Sequence, residues 1–574
     1  MVTKEAHRFC HKALADGCSL LEVFKRLGLL SETKDLNWLL LFLPIATDTS
    51  PPYIMNRFSL FVRASGAGVP SNAFLRSGTC VESRRVLQER RRWQSRSHAT
   101  MSPGFHNGTE SSLICPYSLP VEVIREKEYP HMNNGVYLDH SGTTIYAQST
   151  VDRFAHKMSS GLYGNPHSAN EPAKISGEMV DSIRIKALEF LGADPRHFDL
   201  VFVANATAAI KLVADAFRDL AEQGSRSGNF WYGYHRDAHT SIVGVRELTG
   251  GDHHCFESDG EVEAWLNENN NRQHHGAASL GLFGYPGQSN LSGRRLPLNW
   301  TKRLRQSKSR RLQNTYSLLD AAALAMTSPM SRVFSDAEAA PDFACVSFYK
   351  IFGFPDLGGL IVRKDSGHIL ALRKYFGGGT VSLVSTIGGR TWHMSKGLDQ
   401  HETDTEENVG AHGLHEGLED GTLPFHSILA LGEAIDVHKE LYGSMENISR
   451  HTTQLAQRLY RGISGLRYAN GQPLATVYDN HEEYGNDAGG AAYGDPNRQG
   501  ATIAFNVYRQ DGTFESYAKV EQMANDRGIY VRSGGICCPG GVFTALQYEP
   551  WELNRARSAG HHCGKSPQHH PSLW

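Results

Sequence analysis

An aspartate and a lysine, each at the end of an apolar run, are the residues of this sequence whose types and spacing most favour chemistry. Tyr316-Ser-Leu-Leu-Asp320 ends in a carboxylate, and Phe343-Ala-Cys-Val-Ser-Phe-Tyr-Lys350 ends in an amine. Short apolar runs of this kind predict buried strands. In an open α/β sheet the ligand crevice lies beyond the carboxyl ends of the strands, so we expect both side chains to point into it.

This pair of side chains suits pyridoxal 5'-phosphate. The cofactor needs a lysine that holds its aldehyde as a Schiff base and a carboxylate that keeps its ring nitrogen protonated. The sequence predicts these roles for Lys350 and Asp320. The alternative is that Asp320 caps a helix and Lys350 is a charge at a strand end, and the two residues alone do not decide between these interpretations.

A phosphate site is predicted where the strand Asp199–Ala204 leads through Asn205-Ala206-Thr207 into a helix with apolar residues on one face. The free backbone N–H groups and the dipole of a helix N-terminus both favour an anion. Ala206 and Thr207 are therefore the phosphate candidates. The apolar face of the helix is formed by Ile210, Val213, Ala214 and Phe217.

Two further candidates lie between these elements. His239 opens a predicted helix, where its ring could stack on a cofactor, and Asn290 lies in a turn after the strand Leu280–Pro286. Either residue is more often a cap or turn residue than a ligand. The succession of a phosphate turn, a histidine, an asparagine, an aspartate and a lysine, each at a strand end, nevertheless favours one site.

The second piece of predicted chemistry is a loop with two thiols, Gly534-Gly-Ile-Cys-Cys-Pro-Gly-Gly541. Glycine pairs and a proline around Cys537 and Cys538 predict a loop that can move, and a thiol on a mobile loop suits sulfur transfer. The alternative is two ordinary thiols in a turn. We expect a structural buried cysteine to sit in an apolar strand instead.

Composition excludes several broad classes of function. The 574 residues carry 58 Lys+Arg and 60 Asp+Glu, a net charge of -2, so global charge gives no argument for a nucleic acid partner. The nine cysteines show neither disulfide nor zinc spacing, which favours a reducing compartment such as the cytoplasm and no metal site. The apolar run Trp38–Ile45 is far shorter than the ~20 residues of a membrane helix, so we expect no membrane span and no signal peptide.

Composition and hydrophobic pattern divide the chain into four segments. Residues 1–115 include the arginine run Arg90-Arg91-Arg92 and are predicted to be a weakly structured extension, either a solvated arm or a basic targeting or nucleic-acid patch, unless Met101 is a truer start. Residues 116–425 predict a large α/β domain with a mixed, mostly parallel sheet. Residues 426–564 predict a smaller α+β domain with a mobile insertion at Asp479–Gly500, and residues 565–574 an atypical tail.

Several motifs together resemble the amino-terminal, cysteine-desulfurase-like part of the molybdenum cofactor sulfurase family. The resemblance covers about residues 116–564 and implies the fold of the class-V aminotransferases, which are fold-type I pyridoxal-phosphate enzymes with an aspartate aminotransferase-like architecture. The motifs that carry it, besides the cysteine loop, are Tyr137-Leu-Asp-His-Ser-Gly-Thr-Thr144, Leu162-Tyr-Gly-Asn-Pro-His-Ser168, Ser347-Phe-Tyr-Lys-Ile-Phe-Gly353, Tyr375-Phe-Gly-Gly-Gly-Thr380 and Leu418-Glu-Asp-Gly-Thr-Leu-Pro-Phe425.

The resemblance implies a role for each candidate. Lys350 would be the Schiff-base lysine, Asp320 the partner of the ring nitrogen, and His239 the ring-stacking proton carrier. Asn290 would contact the ring hydroxyl, and Thr422 would reach the phosphate of the neighbouring subunit, which implies a homodimer. The phosphate would be held by Ala206, Thr207 and Ser347.

The implied reaction is removal of sulfur from L-cysteine, which leaves L-alanine and a persulfide on Cys537, with Arg532 five residues before it. The sulfur would then pass to the molybdenum cofactor and activate xanthine dehydrogenase or aldehyde oxidase. The alternatives are a stand-alone cysteine desulfurase or selenocysteine lyase, and an inactive fragment that binds the cofactor. Tyr349 before the lysine and the turn Gln288-Ser-Asn290 favour the sulfurase over the general desulfurases, most of which have histidine before the lysine.

Three departures from the family pattern bear on these expectations. The family has asparagine where this chain has Cys538, which leaves open which thiol carries sulfur. The family continues past Gly564 into a strand with an arginine for the substrate carboxylate, whereas this sequence runs Lys565-Ser-Pro-Gln-His-His-Pro-Ser-Leu-Trp574. The carboxy-terminal cofactor-binding domain is also missing from this sequence, and these two departures motivate the inactive-fragment alternative.

Overall fold

A seven-stranded sheet is the centre of the computed structural model. The structure describes residues 116–132, 135–224, 228–267, 280–389, 391–396, 413–479 and 492–560. The predicted amino-terminal extension and the carboxy-terminal tail lie outside the described residues. The strands are β1 (Val136–Tyr137), β2 (Phe198–Val203), β3 (Trp231–His235), β4 (His253–Phe256), β5 (Gly281–Pro286), β6 (Thr315–Asp320), β7 (Phe343–Ser347), β8 (Gly358–Arg363), β9 (Val381–Ser385), β10 (Trp392–Ser395), β11 (Ala475–Val477), β12 (Phe505–Val507) and β13 (Ile529–Tyr530).

Helices alternate with these strands along the chain. They are α1 (Val121–Glu128), α2 (Gln148–Ser160), α3 (Glu171–Leu191), α4 (Ala206–Gly224), α5 (Thr240–Val243), α6 (Asp259–Leu266), α7 (Asn299–Arg305), α8 (Ser331–Phe334), α9 (Phe348–Phe352), α10 (His368–Ala371), α11 (Phe425–Tyr442), α12 (Met445–Gly465), α13 (Tyr517–Asn525), α14 (Pro539–Ala545) and α15 (Pro550–Ser558).

The large sheet has the order β2-β8-β7-β6-β5-β3-β4. Strands β7, β6, β5, β3 and β4 pair in parallel, while β8 is antiparallel to both β7 and β2. The predicted α/β class with a mixed, mostly parallel sheet is therefore confirmed. Because the parallel strands run the same way, their carboxyl ends meet at one edge, where β6 ends at Asp320.

Helices cover both faces of this sheet. Neighbouring residues of β6 take part in separate buried clusters: Leu319 packs with Ile183 of α3 and Ile428 of α11, whereas Leu318 packs with the α4 side. This division follows from the two-residue period of a strand. The predicted apolar face of α4 is confirmed, since its four residues Ile210, Val213, Ala214 and Phe217 are all buried.

Some predicted boundaries were wrong. The strand predicted to run to Lys350 ends at Ser347, and Lys350 lies in the short helix α9. The Phe348 N–H still donates to the Leu357 carbonyl at 2.8 Å, in register with the β7–β8 pair, and the chain then enters the helix, where the Gly353 N–H donates to the Tyr349 carbonyl at 3.0 Å. Helix α3 begins before the predicted Ser176, because the Asn170 side chain accepts from the Ala173 N–H at 3.1 Å and caps it.

The carboxy-terminal part is a smaller α+β region, as predicted. Strands β11 and β12 form an antiparallel pair, while β13 pairs in parallel with β1, through the registers Val136–Ile529 and Tyr137–Tyr530. The amino-terminal strand therefore belongs to a sheet completed by the last strand. The predicted border between residues 425 and 426 stays a prediction.

The segment predicted as a mobile insertion is partly packed. The structure describes Asp479 and residues 492–500 of this segment, among which Tyr493 and Gln499 are buried. The Gly500 N–H donates to the Gly293 carbonyl at 2.7 Å, and the Arg295 N–H donates to the Arg498 carbonyl at 2.8 Å. The prediction was wrong for these residues, because backbone hydrogen bonds fasten them to the turn after β5.

In the described part of the chain no helix combines the length and apolarity needed to cross a membrane.

Candidate active site

Asp320 presents one carboxylate oxygen to the protein and keeps the other available. It is buried, and its Oδ1 accepts from the Ala322 N–H at 3.0 Å. The thiol of Cys345, its register partner on β7, also points at Oδ1, with 3.7 Å between sulfur and oxygen. No described residue donates a hydrogen bond to Oδ2. The arrangement fixes the carboxylate and leaves Oδ2 to accept a proton or a hydrogen bond from a ligand.

Lys350 lies on α9 within the electrostatic range of Asp320. Burial lowers the pKa of its amine and nearby Arg532 lowers it further, while Asp320 and Cys537 oppose the shift. The preceding residue is held by the amino-terminal segment, since the Tyr349 carbonyl accepts from the Thr144 N–H at 3.3 Å. The lowered pKa makes the neutral, nucleophilic amine more accessible at neutral pH.

His239 is fixed in one orientation at the start of α5. Its Nδ1 accepts from the Ser241 N–H at 3.1 Å, which makes His239 the N-cap of the helix. Burial lowers the pKa of the imidazole, opposed by Asp320 and assisted by Lys350 and Arg532. With Nδ1 accepting, the neutral ring carries its proton on Nε2. His239 is thus a cap, as one interpretation expected, and also a neighbour of the lysine–aspartate pair.

The predicted phosphate site lies at the first turn of the 19-residue helix α4. The Ala206 N–H donates to Ser347 Oγ at 3.1 Å, and Thr207 Oγ1 lies 2.7 Å from Ser241 Oγ. Asn205 caps the helix by accepting from the Ala208 N–H at 3.0 Å. Three hydroxyls thus gather at the positive end of a helix, which favours an anionic group.

The cysteine loop, residues 534–539, presents Cys537 outward. Ile536 and Cys537 have φ angles of 41° and 56°, in the left-handed region that a β-branched residue rarely adopts. The Cys537 carbonyl accepts from the Thr240 N–H at 2.9 Å, and its exposed Sγ lies 3.9 Å from an Arg532 Nη2 donor. The turn therefore fastens the thiol-bearing residue to the helix that His239 begins.

Cys538 has the opposite environment. It is buried, its Sγ lies 3.3 Å from the Asp237 carbonyl, and it is the N-cap residue of α14. Burial, followed by the charge of Asp237, raises the pKa of its thiol to about 12. The expectation that a buried cysteine would lie in an apolar strand holds for Cys345 on β7 but was wrong for Cys538, because the loop itself folds Cys538 into the protein.

Neither Asn290 nor Thr422 has a described contact with the lysine–aspartate pair. Asn290 is half-buried in a turn closed by the Ser289 N–H, which donates to the Arg294 carbonyl at 2.8 Å. Thr422 is exposed, and its hydroxyl accepts from Asn165 Nδ2 at 3.2 Å. Among the described contacts none joins Thr422 to the lysine–aspartate pair, so its role stays a prediction.

Sequence reasoning missed two members of the site, Ser241 and Cys345. Ser241 bridges Thr207 Oγ1 and His239 Nδ1, with 2.9 Å to the imidazole. Cys345 and Ser347 alternate on β7 and so share a face of the sheet with the phosphate end. The sequence signal that could have identified Cys345 was its position two residues before Ser347 in the same predicted strand. Ser241 gave none, because its contact depends on how α4 and α5 approach each other.

The residues present fit pyridoxal 5'-phosphate. Lys350, whose amine has a lowered pKa, suits the aldehyde of this cofactor. Asp320, with one carboxylate oxygen not bonded to any described residue, suits the ring nitrogen. The start of α4, where three hydroxyls lie together, suits the phosphate. His239 adds a half-buried ring beside them. Within the described residues no group of His, Cys, Asp and Glu could hold a metal ion.

Comparisons with known proteins agree with this architecture. Residues 136–475 match the family described as class-V aminotransferase. The chain is 49% identical over 451 residues to a molybdenum cofactor sulfurase of Aspergillus niger, which covers 78% of this chain and 50% of the relative. It is also 49% identical over 450 residues to that of Botryotinia fuckeliana, covering 78% and 51%. The chain thus spans about half the length of these curated relatives.

Solved structures show the same fold. A cysteine desulfurase from Thermococcus onnurineus superposes with a TM-score of 0.54 at 17% identity, covering 75% of this chain and 91% of that one. A cysteine desulfurase from Escherichia coli gives a TM-score of 0.52 at 16% identity, covering 74% and 90%. At these identities the likeness establishes the fold alone.

Proposed function

The chain belongs to the class-V aminotransferase family, and we propose that it uses pyridoxal 5'-phosphate to remove sulfur from L-cysteine, as the amino-terminal part of a molybdenum cofactor sulfurase. One observation carries this proposal: the exposed thiol of Cys537 lies beside Arg532, on a loop fastened next to His239, in electrostatic range of Lys350. A transaminase has no need of a thiol there, whereas sulfur removal does.

The cofactor, when bound, supplies an electron sink that labilises bonds at the α- and β-carbons of an amino acid. Lys350 would hold it, and the lowered pKa of its amine favours the neutral, nucleophilic form that this role needs. Asp320 Oδ2 would accept a hydrogen bond from the ring nitrogen and so keep that nitrogen protonated. The backbone N–H of Thr207 at the start of α4, together with the hydroxyls of Thr207, Ser241 and Ser347, would bind the phosphate.

His239 would orient the ring and carry a proton. Its Nδ1 is committed to Ser241, so Nε2 is the atom that faces other groups. Burial lowers the pKa of the imidazole, which favours the neutral ring, and because Nδ1 accepts from Ser241 the proton lies on Nε2, from which the ring could donate it. Asn290 would contact the ring hydroxyl from the turn after β5.

Cys537 would be the sulfur acceptor. As a thiolate it would attack the sulfur of L-cysteine, forming a sulfur–sulfur bond while the bond between sulfur and the β-carbon breaks, and the electron pair of that bond would be protonated at carbon to give L-alanine. The Arg532 Nη2 lies 3.9 Å from the Cys537 sulfur, beside the attacking group. Cys538 is unsuited to this role, because its thiol is buried and its pKa is raised to about 12.

The proposed destination of the sulfur is the molybdenum of the molybdenum cofactor, here a substrate. The relatives that share 49% identity carry the name of this activity, and the chain matches about half of each. Xanthine dehydrogenase and aldehyde oxidase are the proposed recipients of the sulfurated cofactor. A reducing compartment such as the cytoplasm would suit a chemistry that depends on a free thiol.

We also propose that the protein works as a homodimer. The hairpin β9–β10 exposes large apolar side chains, including Leu383 at 54% and Trp392 at 49%. An apolar surface of this kind in a soluble enzyme usually marks an interface. Size measurement by light scattering should give a dimer mass for the wild type and a monomer for Leu383→Asp, with Thr422→Ala weakening cofactor retention if the threonine crosses to the partner subunit.

The proposed reaction is tested by L-alanine release from L-cysteine with the purified chain and pyridoxal 5'-phosphate. We expect Lys350→Ala to abolish alanine release and to prevent borohydride from fixing the cofactor to the protein. Reactivation of desulfo xanthine dehydrogenase, with free sulfide trapped, would then separate a sulfurase from a stand-alone desulfurase. Alanine release without reactivation would support the desulfurase, and a cofactor-loaded chain that releases no alanine would contradict the proposed reaction.

A further inference from the structure

A cleft of about 560 Å³ lies between the turn after β5 and residues 497–498, and none of the residues assigned to the reaction lines it. Its apolar wall is made by Leu296, Leu298 and Leu324, and its charged lining is dominated by arginine. We name it the arginine cleft; its charged lining residues are Asp259, Arg294, Arg295, Arg332 and Arg498. The volume falls within the range of small-molecule sites.

Arg294 is fully compensated by carboxylates. It is 1% exposed and forms ion pairs with Asp259 at 2.7 Å and with Asp237 at 3.3 Å. The single carboxylate that lines the cleft is therefore already committed to this arginine. Arg294 and Asp259 form a neutralised pair with little attraction left for a ligand.

Arg295 is a buried cation held by neutral groups. It is 8% exposed, and its guanidinium donates to Gln288 Oε1 at 3.2 Å, to Thr327 Oγ1 at 3.0 Å and to the Pro496 carbonyl. It forms no ion pair with a carboxylate of any described residue. These three bonds use three of the five N–H groups of a guanidinium, so two remain for a ligand.

Arg332 lies at the exposed rim of the cleft and brings a second positive charge to the Pro496 carbonyl, which Arg295 also contacts. Its Nη1 donates to the Pro496 carbonyl at 3.3 Å and to Asn497 Oδ1, so both guanidinium groups share one acceptor. In the described structure it too is without a carboxylate partner. Two like charges that converge on one carbonyl, one of them buried, are costly unless an anion lies between them.

The electrostatics of Arg295 agree with this argument. Burial lowers the pKa of its guanidinium to about 10, and the charge of Arg332 adds to the shift, while Asp495 opposes it. An anion in the cleft would oppose both effects on the pKa of Arg295, because its negative charge would compensate the buried guanidinium and weaken the repulsion between Arg295 and Arg332.

We propose that the arginine cleft binds a small organic molecule through a phosphate group, with Arg295 and Arg332 on the phosphate oxygens and Leu296, Leu298 and Leu324 against its apolar part. A phosphate offers three terminal oxygens to the N–H groups that these two arginines leave unused, and paired guanidinium donors suit it. The apolar wall and the volume exceed what inorganic phosphate would fill. This site is independent of the phosphate end of α4.

The test uses the full chain saturated with pyridoxal 5'-phosphate, so that the site at α4 is filled, and titrates phenyl phosphate by calorimetry. We expect saturable binding that is tighter than that of inorganic phosphate. Arg332→Gln should weaken it about tenfold, the value of one charge-assisted contact. Arg311→Gln makes the same charge change at an exposed arginine outside the cleft, and we expect it to leave affinity unchanged.

Arg295→Lys provides a second variant, which retains the charge but loses the planar fork and should also weaken phenyl phosphate severalfold. Absence of binding by the wild type would overturn the proposal, as would equal affinity of the wild type and Arg332→Gln. Equal affinity for inorganic and phenyl phosphate would overturn the assignment to an organic molecule. Because L-alanine release is measured separately, failure here would leave the proposed reaction untouched.

Discussion

The backbone carbonyl of Cys537 accepts a hydrogen bond from the Thr240 N–H at 2.9 Å, which joins the cysteine loop to the helix that His239 caps. Thr240 is the first residue of that helix, where the N–H has no partner within the helix. The exposed thiol is therefore positioned by a contact between residues almost 300 positions apart in sequence.

Replacing Thr240 with proline should test this contact selectively. Proline is well tolerated at the first helical position, and His239 already has φ -64° and ψ 152°, which a following proline permits. The change removes the donor to Cys537, so we expect persulfide formation to slow about fivefold, as for the loss of one hydrogen bond, with cofactor absorbance unchanged. Thr240→Ala retains the N–H and is the control; equal rates in the two variants would show that the contact is dispensable.

The two cysteines should separate in a labelling experiment. Sulfur from labelled L-cysteine should appear on the Cys537 peptide by mass spectrometry, persist in Cys538→Ser and vanish in Cys537→Ser, since the buried Cys538 thiol has a pKa of about 12. Cys538→Ser should instead lower the free energy of unfolding, by about 1 kcal/mol, as is typical of changes to a buried side chain. Undiminished label in Cys537→Ser would transfer the role to its neighbour.

Asp320→Asn should separate cofactor binding from turnover. The amide can still accept the Ala322 N–H bond that fixes the side chain, but it cannot stabilise a protonated ring nitrogen, so we expect cofactor retention with a loss of alanine release of at least about a hundredfold. Absorbance and alanine release measured on the same sample would check this. Wild-type turnover in the variant would remove Asp320 from the mechanism.

His438 should make stability depend on pH. Burial among Phe190, Phe352 and Tyr442 lowers the pKa of its imidazole to about 4, below the usual value of about 6.5. The unfolded chain therefore binds a proton first as the pH falls. The contribution of neutral His438 is fully present above pH 6.5 and is lost between pH 6.5 and 4, by about 3 kcal/mol at the lower value.

His438→Leu removes this titration. Between pH 7 and pH 4 we expect the wild type to lose about 3 kcal/mol of unfolding free energy more than the variant, measured by urea denaturation. His426→Leu changes an exposed histidine on the same helix and is the control. Parallel pH profiles for wild type and His438→Leu would show that the imidazole is not the titrating group.

Much of the fold and part of the candidate site could be predicted from the sequence. Buried parallel strands appear as apolar runs, so β5 and β6 were predicted to within one residue at each end, and Asp320 was placed at a strand end. The apolar face of α4 followed from its helical period. Five site residues were predicted because each has a residue type suited to chemistry and lies at the end of a predicted strand or in a loop; they are Lys350, His239, Ala206, Thr207 and Cys537.

The tertiary structure decided which groups these residues meet. The strand before Lys350 stops at Ser347 and gives way to the short helix α9, and no local pattern in the sequence marks that change. Ser241 joins Thr207 and His239 through the approach of two helices. Cys537 and Cys538 are adjacent and identical in type, yet the folding of their loop exposes one and buries the other against Asp237. Burial and long-range contacts, which set the nucleophilicity of a thiol, arise from packing between distant segments and so are not encoded in local sequence.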